Sequence, residues 1–385
     1  MKIFHTADWH LGKLVQGFAM TEDQRYVLDQ FLDAVKSERP DAVIIAGDLY
    51  DRAVPPNEAV GLLDDVLTRL IVDMKTPVLM IAGNHDSPER IHFANSILKD
   101  QGLYIQGKLQ KEMQPAILYD AHGPVHFYLV PYAEPGQVRT LLEDETIRTH
   151  NDAMQAIIKM LEPYMDPLAR HVFIGHAFVT PSGEAGEYQC DSERPLAIGG
   201  AEYIQASHFQ NFHYVALGHL HQAHHVGNER IRYAGSPLKY SISEEYHDKG
   251  FYSVELAADG NVQVDKRSLV PRRDVRSVAG LLDDIKQHDR CEDYVFVTLL
   301  DSHAVLFPME HVRTVYPNAM HVTRKQSTAV LTDPGTQTLE RHKMDSMSLF
   351  QAFYKEVKGT ELPHEMETLF QEVLEDVLRR EKGDV

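Results

Sequence analysis

The sequence predicts an α/β fold carrying a small α+β module and a pair of C-terminal helices, on three observations. Short apolar, β-branched runs alternate with helical periodicities through the first half, as in a sheet built from crossover units. Five of those runs end in a polar cluster rich in Asp, Asn and His. The pattern then changes near residue 265, where a basic stretch marks a boundary. These divide the chain into residues 1–265, a module at 272–325, a polar linker at 326–343 and helices at 344–382.

The predicted strands are Lys2 to Thr6, Ala42 to Ala46, Val78 to Ala82, Val125 to Val130, Val172 to Ile174 and Tyr214 to Leu217. Between the first two, Thr21 with Gln24 three residues on has the form of a capping box, and Val27, Leu28, Phe31, Leu32 and Val35 fall on one helical face. A second helix is predicted from an Asn57 cap through Leu63, Val66, Leu67 and Leu70. A third starts at Ser87 with Pro88 in its first turn. From Phe251 to Val270 the pattern is that of a hairpin, followed by the basic cluster Lys266, Arg267, Arg272, Arg273 and Arg276. The small module is predicted as helix (Val278 to Lys286), strand (Tyr294 to Leu299), helix (Pro308 to Val315) and strand (Met320 to Thr323). Two apolar stripes follow the linker: Leu349, Phe350, Phe353, Tyr354 and Val357, then Leu369, Phe370, Val373, Leu374, Val377 and Leu378.

With 385 residues, 43% hydrophobic and 25% charged, the composition is that of an ordinary soluble protein, and no stretch reaches the ~18 apolar residues of a membrane span. The N-terminus lacks the apolar core of a signal peptide, so the expectation is a cytoplasmic chain with no membrane partner. Cys190 and Cys291 show no paired spacing, which argues against a disulfide framework or a thiolate zinc site. The net charge of −19 runs against nucleic-acid binding, which draws on Lys and Arg. Divalent metals among clustered carboxylates, or a partner subunit, would offset it.

The chemistry lies in the five clusters: Asp8-Trp9-His10, Gly47-Asp48-Leu49-Tyr50-Asp51, Gly83-Asn84-His85-Asp86, Gly175-His176 and Gly218-His219-Leu220-His221. Strand-end loops of an α/β sheet are where ligands collect. Singly, each has an ordinary explanation: a turn with a satisfied histidine at Asp8 to His10, a tight turn and helix cap at Gly83 to Asp86, chance for Gly-His among 22 histidines. The ordered conjunction of five, each after a predicted strand, implies one shared site. Mixed carboxylate, amide and imidazole ligands without thiolate suit manganese, iron or zinc better than magnesium or calcium. A pair of such ions holds the attacking and leaving oxygens of a phosphoryl transfer.

The series DxH, GDLxD, GNHD, GH and GHxH resembles the calcineurin-like metallophosphoesterases. Its settings HTADWHLG, AGDLYDRAVPP, AGNHDSPER and YAGSP (Tyr233 to Pro237) resemble, within them, the nuclease subunits of bacterial SbcCD-type repair complexes. The resemblance spans roughly residues 1 to 240 and implies a β-sandwich core flanked by helices, with a small capping domain beyond it. It implies two divalent ions, expected to be Mn2+, with Asp8, His10 and His221 on one, Asn84, His176 and His219 on the other, and Asp48 bridging. It makes His85 the catalytic histidine beside the scissile phosphate. Asp51 stands where archaeal and eukaryotic relatives tend to have histidine, and is expected, with Asp86, to support the ligands rather than bind metal.

The implied activity is that of a DNA nuclease, a double-strand exonuclease and single-strand or hairpin endonuclease of repair and recombination. The implied assembly is a homodimer bound to two copies of an SbcC-type ATPase, clasped through the C-terminal helices. Arg52, Arg90, Lys266, Arg267, Arg272 and Arg273 are candidate DNA-phosphate contacts, with cap, salt-bridge or linker roles as alternatives. Trp9 is expected to pack beneath the metal loop, and His224 and His225 to lie on an outgoing strand. Two other readings stand beside the nuclease: the same chemistry on a non-DNA phosphoester, and a non-catalytic scaffold.

Overall fold

The computed structural model describes residues 1–182, 203–325 and 346–381. In chain order its main strands are β1 (Lys2–Thr6), β2 (Ala42–Ile45), β3 (Val78–Ile81), β4 (Leu103–Gln106), β5 (Ala116–Asp120), β6 (Gly123–Val130), β7 (Arg170–His176), β8 (Tyr214–Gly218), β9 (His224–Val226), β10 (Asn228–Tyr233), β11 (Gly250–Leu256) and β12 (Val262–Ser268). They form two six-stranded sheets, ordered β12-β11-β1-β2-β3-β4 and β9-β10-β8-β7-β6-β5. The strands from β1 to β4 run parallel, as do β6-β7-β8-β10; antiparallel strands close three of the four edges, and parallel β4 is the fourth.

Both faces of each sheet are covered, which is why the central strands read as unbroken apolar runs rather than alternating ones. Ile3, Ile44, Leu79 and Ile81 of the first sheet meet Val125, Phe127, Val172, Ile174 and Ala216 of the second in the central core. The alternate residues Phe4, Val43, Ile45 and Met80 face the helices α1 (Thr21–Glu38) and α2 (Asn57–Thr68), through Val27, Phe31, Leu62 and Val66. On the other side α3 (His150–Leu161) packs Ile157, Ile158 and Leu161 against Phe173, Val215 and Leu217. The result is an α/β/β/α sandwich, the helix-flanked β-sandwich core that the resemblance implies.

Three local expectations need correction. Thr21 and Gln24 form no capping box: Met20 is the cap residue, without a side-chain cap bond, and Gln24 is buried against the loop after β1. Asn57 starts α2 but Pro56 precedes it as the cap residue, again without a side-chain bond. Residues 278–280 are not helical; they end a strand, Val275–Gly280, and only Leu282–Ile285 is helix. Val278 and the strand partner Val297 share a buried cluster, so sheet pairing with Tyr294–Leu299 overrides the helical spacing there.

That strand, Tyr294–Leu299 and His321–Arg324 make a three-stranded sheet with its own buried cluster around Ile285, Val295, Val312 and Ala319. Residues 1–300 and 305–323 form one compact unit, and residues 301–304 and 324–385 a second. Within the second unit α4 (Ser346–Lys358) and α5 (His364–Glu381) pair through Phe350 and Phe370, whose rings stack 4.0 Å apart, and a Gln351–Glu367 hydrogen bond. The expected linker at 326–343 and Cys190 lie outside the described residues. No described helix is long and apolar enough to cross a membrane.

Candidate metal centre

The loops after β1, β2, β3, β7 and β8 converge, because both sheets present the C-terminal ends of their parallel strands to the same place. Backbone bonds lock the first two loops together: Asp8 N–H donates to the Gly47 carbonyl (3.1 Å), His10 N–H to that of Asp48 (2.9 Å) and Leu11 N–H to that of Leu49 (2.9 Å). Asp8, His10, Asp48 and His219 all have left-handed φ values, of 53, 46, 50 and 106°. Non-glycine residues adopt that region at a cost, and such strain gathers at functional sites. Small neighbours make room: a Cβ on Gly83 would stand 2.1 Å from Asp48 Oδ1, and one on Gly218 2.0 Å from the Ala46 carbonyl oxygen.

Asp48 sits at the middle. Its Oδ2 lies 3.5 Å from His10 Nε2 and 3.4 Å from His176 Nε2, and its Oδ1 accepts the His85 backbone N–H at 2.9 Å. On one side the Nε2 atoms of His10 and His221 face each other at 3.1 Å. On the other, His176 Nε2 lies 2.9 Å from Asn84 Oδ1, and the His219 ring centre lies 5.4 Å from that of His176. Asp8 accepts the His219 N–H with both carboxylate oxygens, at 2.9 and 3.1 Å. All seven sequence-predicted ligands thus meet in one place, and all but Asn84 are buried.

The ring nitrogens pointing away from the centre are held. His176 Nδ1 is 2.9 Å from the Ala46 carbonyl, so it carries a proton and turns Nε2 toward the centre. His221 Nδ1 is likewise 3.2 Å from Glu244 Oε1. Burial lowers the pKa of His10 and His219 well below the usual histidine value and lowers that of His221, favouring neutral rings. Burial also opposes charge on Asp48 and His176. Their mutual attraction prevails, holding Asp48 well below the usual carboxylate range and pushing His176 up to about 9. The neutral imidazoles of His10, His219 and His221 and an ionised Asp48, with an amide oxygen beside them, are donors a divalent cation requires, and His176 would give up its Nε2 proton to join them.

Two triads have ligand atoms within 4.8 Å of one another: the wholly buried Asp8, Asp48 and His176, and His10, Asp51 and His85. The second includes two residues placed outside the ligand set by the sequence reading. Asp51 Oδ1, however, receives the Lys13 ammonium at 2.8 Å, and His85 Nδ1 lies 2.8 Å from the Asp51 carbonyl oxygen. That bond directs the opposite pole of His85, Nε2, away from its anchoring loop. Asp86 accepts the N–H groups of Leu49 (3.1 Å), Tyr50 (2.9 Å) and Gly83 (2.9 Å), tying the β2 and β3 loops together. Burial and the neighbouring Asp48 charge push its pKa up to about 7.

A family model described as calcineurin-like phosphoesterase matches residues 1–223. The chain belongs to that family. A second model, labelled SbcD_C and described as type 5 capsule protein repressor C-terminal domain, matches residues 271–358. Among solved structures, the phosphoesterase is similar to GAP50, the anchor in the inner membrane complex of Plasmodium, at 13% identity over 86% of this chain and 99% of that one (TM-score 0.39). It is also similar to TT1561 of Thermus thermophilus at 11% identity, over 69% and 98% (TM-score 0.38), and to a dimetal phosphatase from Danio rerio at 13% identity, over 70% and 97% (TM-score 0.40).

The basic residues lie differently from the ligands of the phosphoesterase. Arg52, Arg90 and Arg272 are exposed. Lys266 pairs with Asp248 (3.0 Å), Arg267 with Glu38 (3.1 Å) and Arg276 with Asp293 (2.7 Å). Arg273 reaches the buried Asp23 of α1 at 2.9 Å. These four hold parts of the chain together. Trp9 is fully buried, its Nε1–H on Thr6 Oγ1. His224 and His225 begin β9; His224 is half-buried, stacked on Tyr233, and His225 is exposed.

Sequence reading missed two groups. Gln24 donates to the Trp9 and His10 carbonyls (3.1 and 2.8 Å) and accepts from Gly12 N–H (3.1 Å). Its signal was present: a polar residue in register with the apolar face of α1. Glu244, fully buried behind His221, follows no motif and stands in a polar segment that reads as surface.

Proposed function

We propose that this phosphoesterase hydrolyses phosphodiester bonds of DNA with two divalent ions, expected to be Mn2+, as the nuclease subunit of an SbcCD-type complex. The observation that carries the hydrolytic reading is the convergence of six donor side chains around a seventh, Asp48, with His85 anchored beside them by Asp51. Asp8, His10 and His221 would hold one ion, Asn84, His176 and His219 the other, and Asp48 both. When bound, such a pair supplies Lewis-acid stabilisation of the reacting oxygens and a nucleophile near neutral pH. The protein's own part is to keep Asp48 ionised and the His10, His219 and His221 rings neutral. With Nδ1–H on the Asp51 carbonyl, His85 Nε2 would position the phosphate or give a proton to the leaving oxygen.

The DNA substrate and the ATPase partner rest on the motif settings and on the label of the C-terminal family model, SbcD_C. The exposed apolar residues Leu349, Phe353, Leu369 and Val373 of α4 and α5 support a protein-binding role for that unit. A second reading, hydrolysis of a non-DNA phosphoester, is favoured by the net charge of −19 and by the intramolecular pairing of Lys266, Arg267 and Arg273. Nicking of supercoiled plasmid with Mn2+, beside turnover of a small phosphodiester, tests both. Turnover of the small ester without nicking, with the ATPase subunit present, overturns the DNA reading. Inactivity on both, in a chain loaded with metal, leaves the scaffold.

A further inference from the structure

Behind His221 lies a charged cluster that no motif marks. Glu244 is fully buried and Lys249 nearly so. Glu244 Oε1 faces His221 Nδ1 at 3.2 Å and accepts the Tyr240 N–H at 3.2 Å. Its other oxygen takes the Lys249 ammonium in an ion pair and lies 3.4 Å from Ser236 Oγ. Lys249 Nζ also donates to the His221 carbonyl at 2.8 Å and to Ser236 Oγ at 2.9 Å, while Ser236 N–H donates to the same carbonyl at 3.2 Å. The contacts close on one residue, holding His221 by its ring and by its backbone.

Burying a carboxylate and an ammonium costs several kcal/mol per ion in desolvation, and an apolar pair of the same size often serves stability as well or better. Packing alone therefore gives little reason for this pair. Its geometry gives one: a carboxylate on the far nitrogen of a metal-facing imidazole fixes the tautomer and the ring plane and raises the basicity of the near nitrogen. On the other side His176 Nδ1 donates to the Ala46 carbonyl at 2.9 Å, with the Asp8 carboxylate farther off at 3.9 Å, so the two rings are held by different groups.

We infer that Glu244 and Lys249 are positioning residues that set the affinity of the His10/His221 side of the centre for its divalent ion. The inference rests on the two-metal reading above. Neither residue touches substrate; both act through His221.

The test is a Mn2+ titration of the full chain by equilibrium dialysis with metal analysis, alongside thermal melting without metal. Glu244→Met with Lys249→Met removes both charges at nearly constant volume. It is expected to melt as a folded protein, to keep one ion at wild-type affinity and to bind the other about 10- to 100-fold more weakly. A merely structural pair would move the melting temperature and leave the affinities of the folded protein unchanged. A folded double variant that titrates like wild type overturns the proposal alone. A wild-type chain that takes up no Mn2+ overturns the two-metal reading and this proposal with it. Should the double variant not fold, the wild type carries the test: in 15N-histidine-labelled protein, His221 must show an exchange-protected Nδ1 proton, and an Nε2 proton in its place overturns the assignment.

Discussion

Gln24, one turn into α1, donates its Nε2–H to the carbonyl of His10 at 2.8 Å, so a helix on the outer layer holds the first metal-binding loop in its left-handed turn. The same amide reaches the Trp9 carbonyl, and Tyr240 O–H donates to that carbonyl at 2.5 Å. Replacing Gln24 with Leu would leave the buried Gly12 N–H without its acceptor, at about 1–3 kcal/mol, and the His10 carbonyl with only the Lys13 N–H. The expected result is a lower melting temperature and weaker Mn2+ binding together, read by calorimetry and metal titration. Unchanged values for both would show that the loop stands without this brace.

His85→Gln is expected to keep both ions and to lose about 10²–10⁴ in turnover, because its proposed role is on the phosphate and its Nδ1 is already taken by Asp51. Metal analysis beside plasmid nicking checks it. Loss of an ion from the variant would place His85 among the ligands, as its proximity to His10 and Asp51 permits.

Asp48→Ala should deplete both ions at once, since one carboxylate oxygen stands within 3.5 Å of a ligand nitrogen on either side. Without that charge the two cations and their ligands are left to repel each other. Retention of two ions with activity would refute the shared centre.

How much of this was legible in sequence follows from period and from range. The parallel strands declared themselves because both faces are buried, and the ligands because each follows directly on such a strand. The edge strands β4 and β5, and β10 next to an edge, went unread because their exposure is mixed along the strand. Gln24 was misread because Thr-x-x-Gln has the same letters whether the glutamine caps its own helix or reaches a loop fourteen residues away in sequence. Glu244 and Lys249 were invisible for a related reason: a charged residue five positions from its opposite reads as surface until the fold buries both. Arg273, a candidate DNA contact or linker residue in sequence, likewise has a partner, Asp23, 250 positions distant.

His5 gives the fold an acid-sensitive element apart from the metal ligands. It is fully buried between the sheets with Nδ1 2.9 Å from the Tyr214 hydroxyl, and burial lowers its pKa from 6.5 to about 3. Below pH 6.5 the unfolded chain takes up a proton that the folded chain refuses. The contribution is therefore complete above pH 6.5 and is lost as pH falls toward 3, amounting to about 2 kcal/mol by pH 5. His5→Gln should flatten the stability profile between about pH 7.5 and 5 by that amount, measured by urea unfolding with chelator present. A variant as acid-sensitive as its parent would assign the effect elsewhere.

The final prediction separates chemistry from assembly. Among the described residues, the four buried clusters draw on residues up to Val322, and every proposed metal ligand lies before residue 222. Helices α4 and α5 instead stack Phe350 on Phe370 and leave Leu349, Phe353, Leu369 and Val373 exposed, at 43, 59, 59 and 54%. Two short helices bury too little to need so wide an apolar stripe for themselves, and an amphipathic helix laid in a groove is a common way to cover one. Truncation after Ser327 is therefore expected to leave Mn2+ binding and Mn2+-dependent cleavage of small single-stranded substrates intact. Capture of the ATPase subunit and ATP-dependent processing of duplex ends should both be lost. If the shortened chain still captured that subunit at full strength, the exposed stripe would need a different occupant; if it lost metal, the helices would belong to the catalytic fold after all.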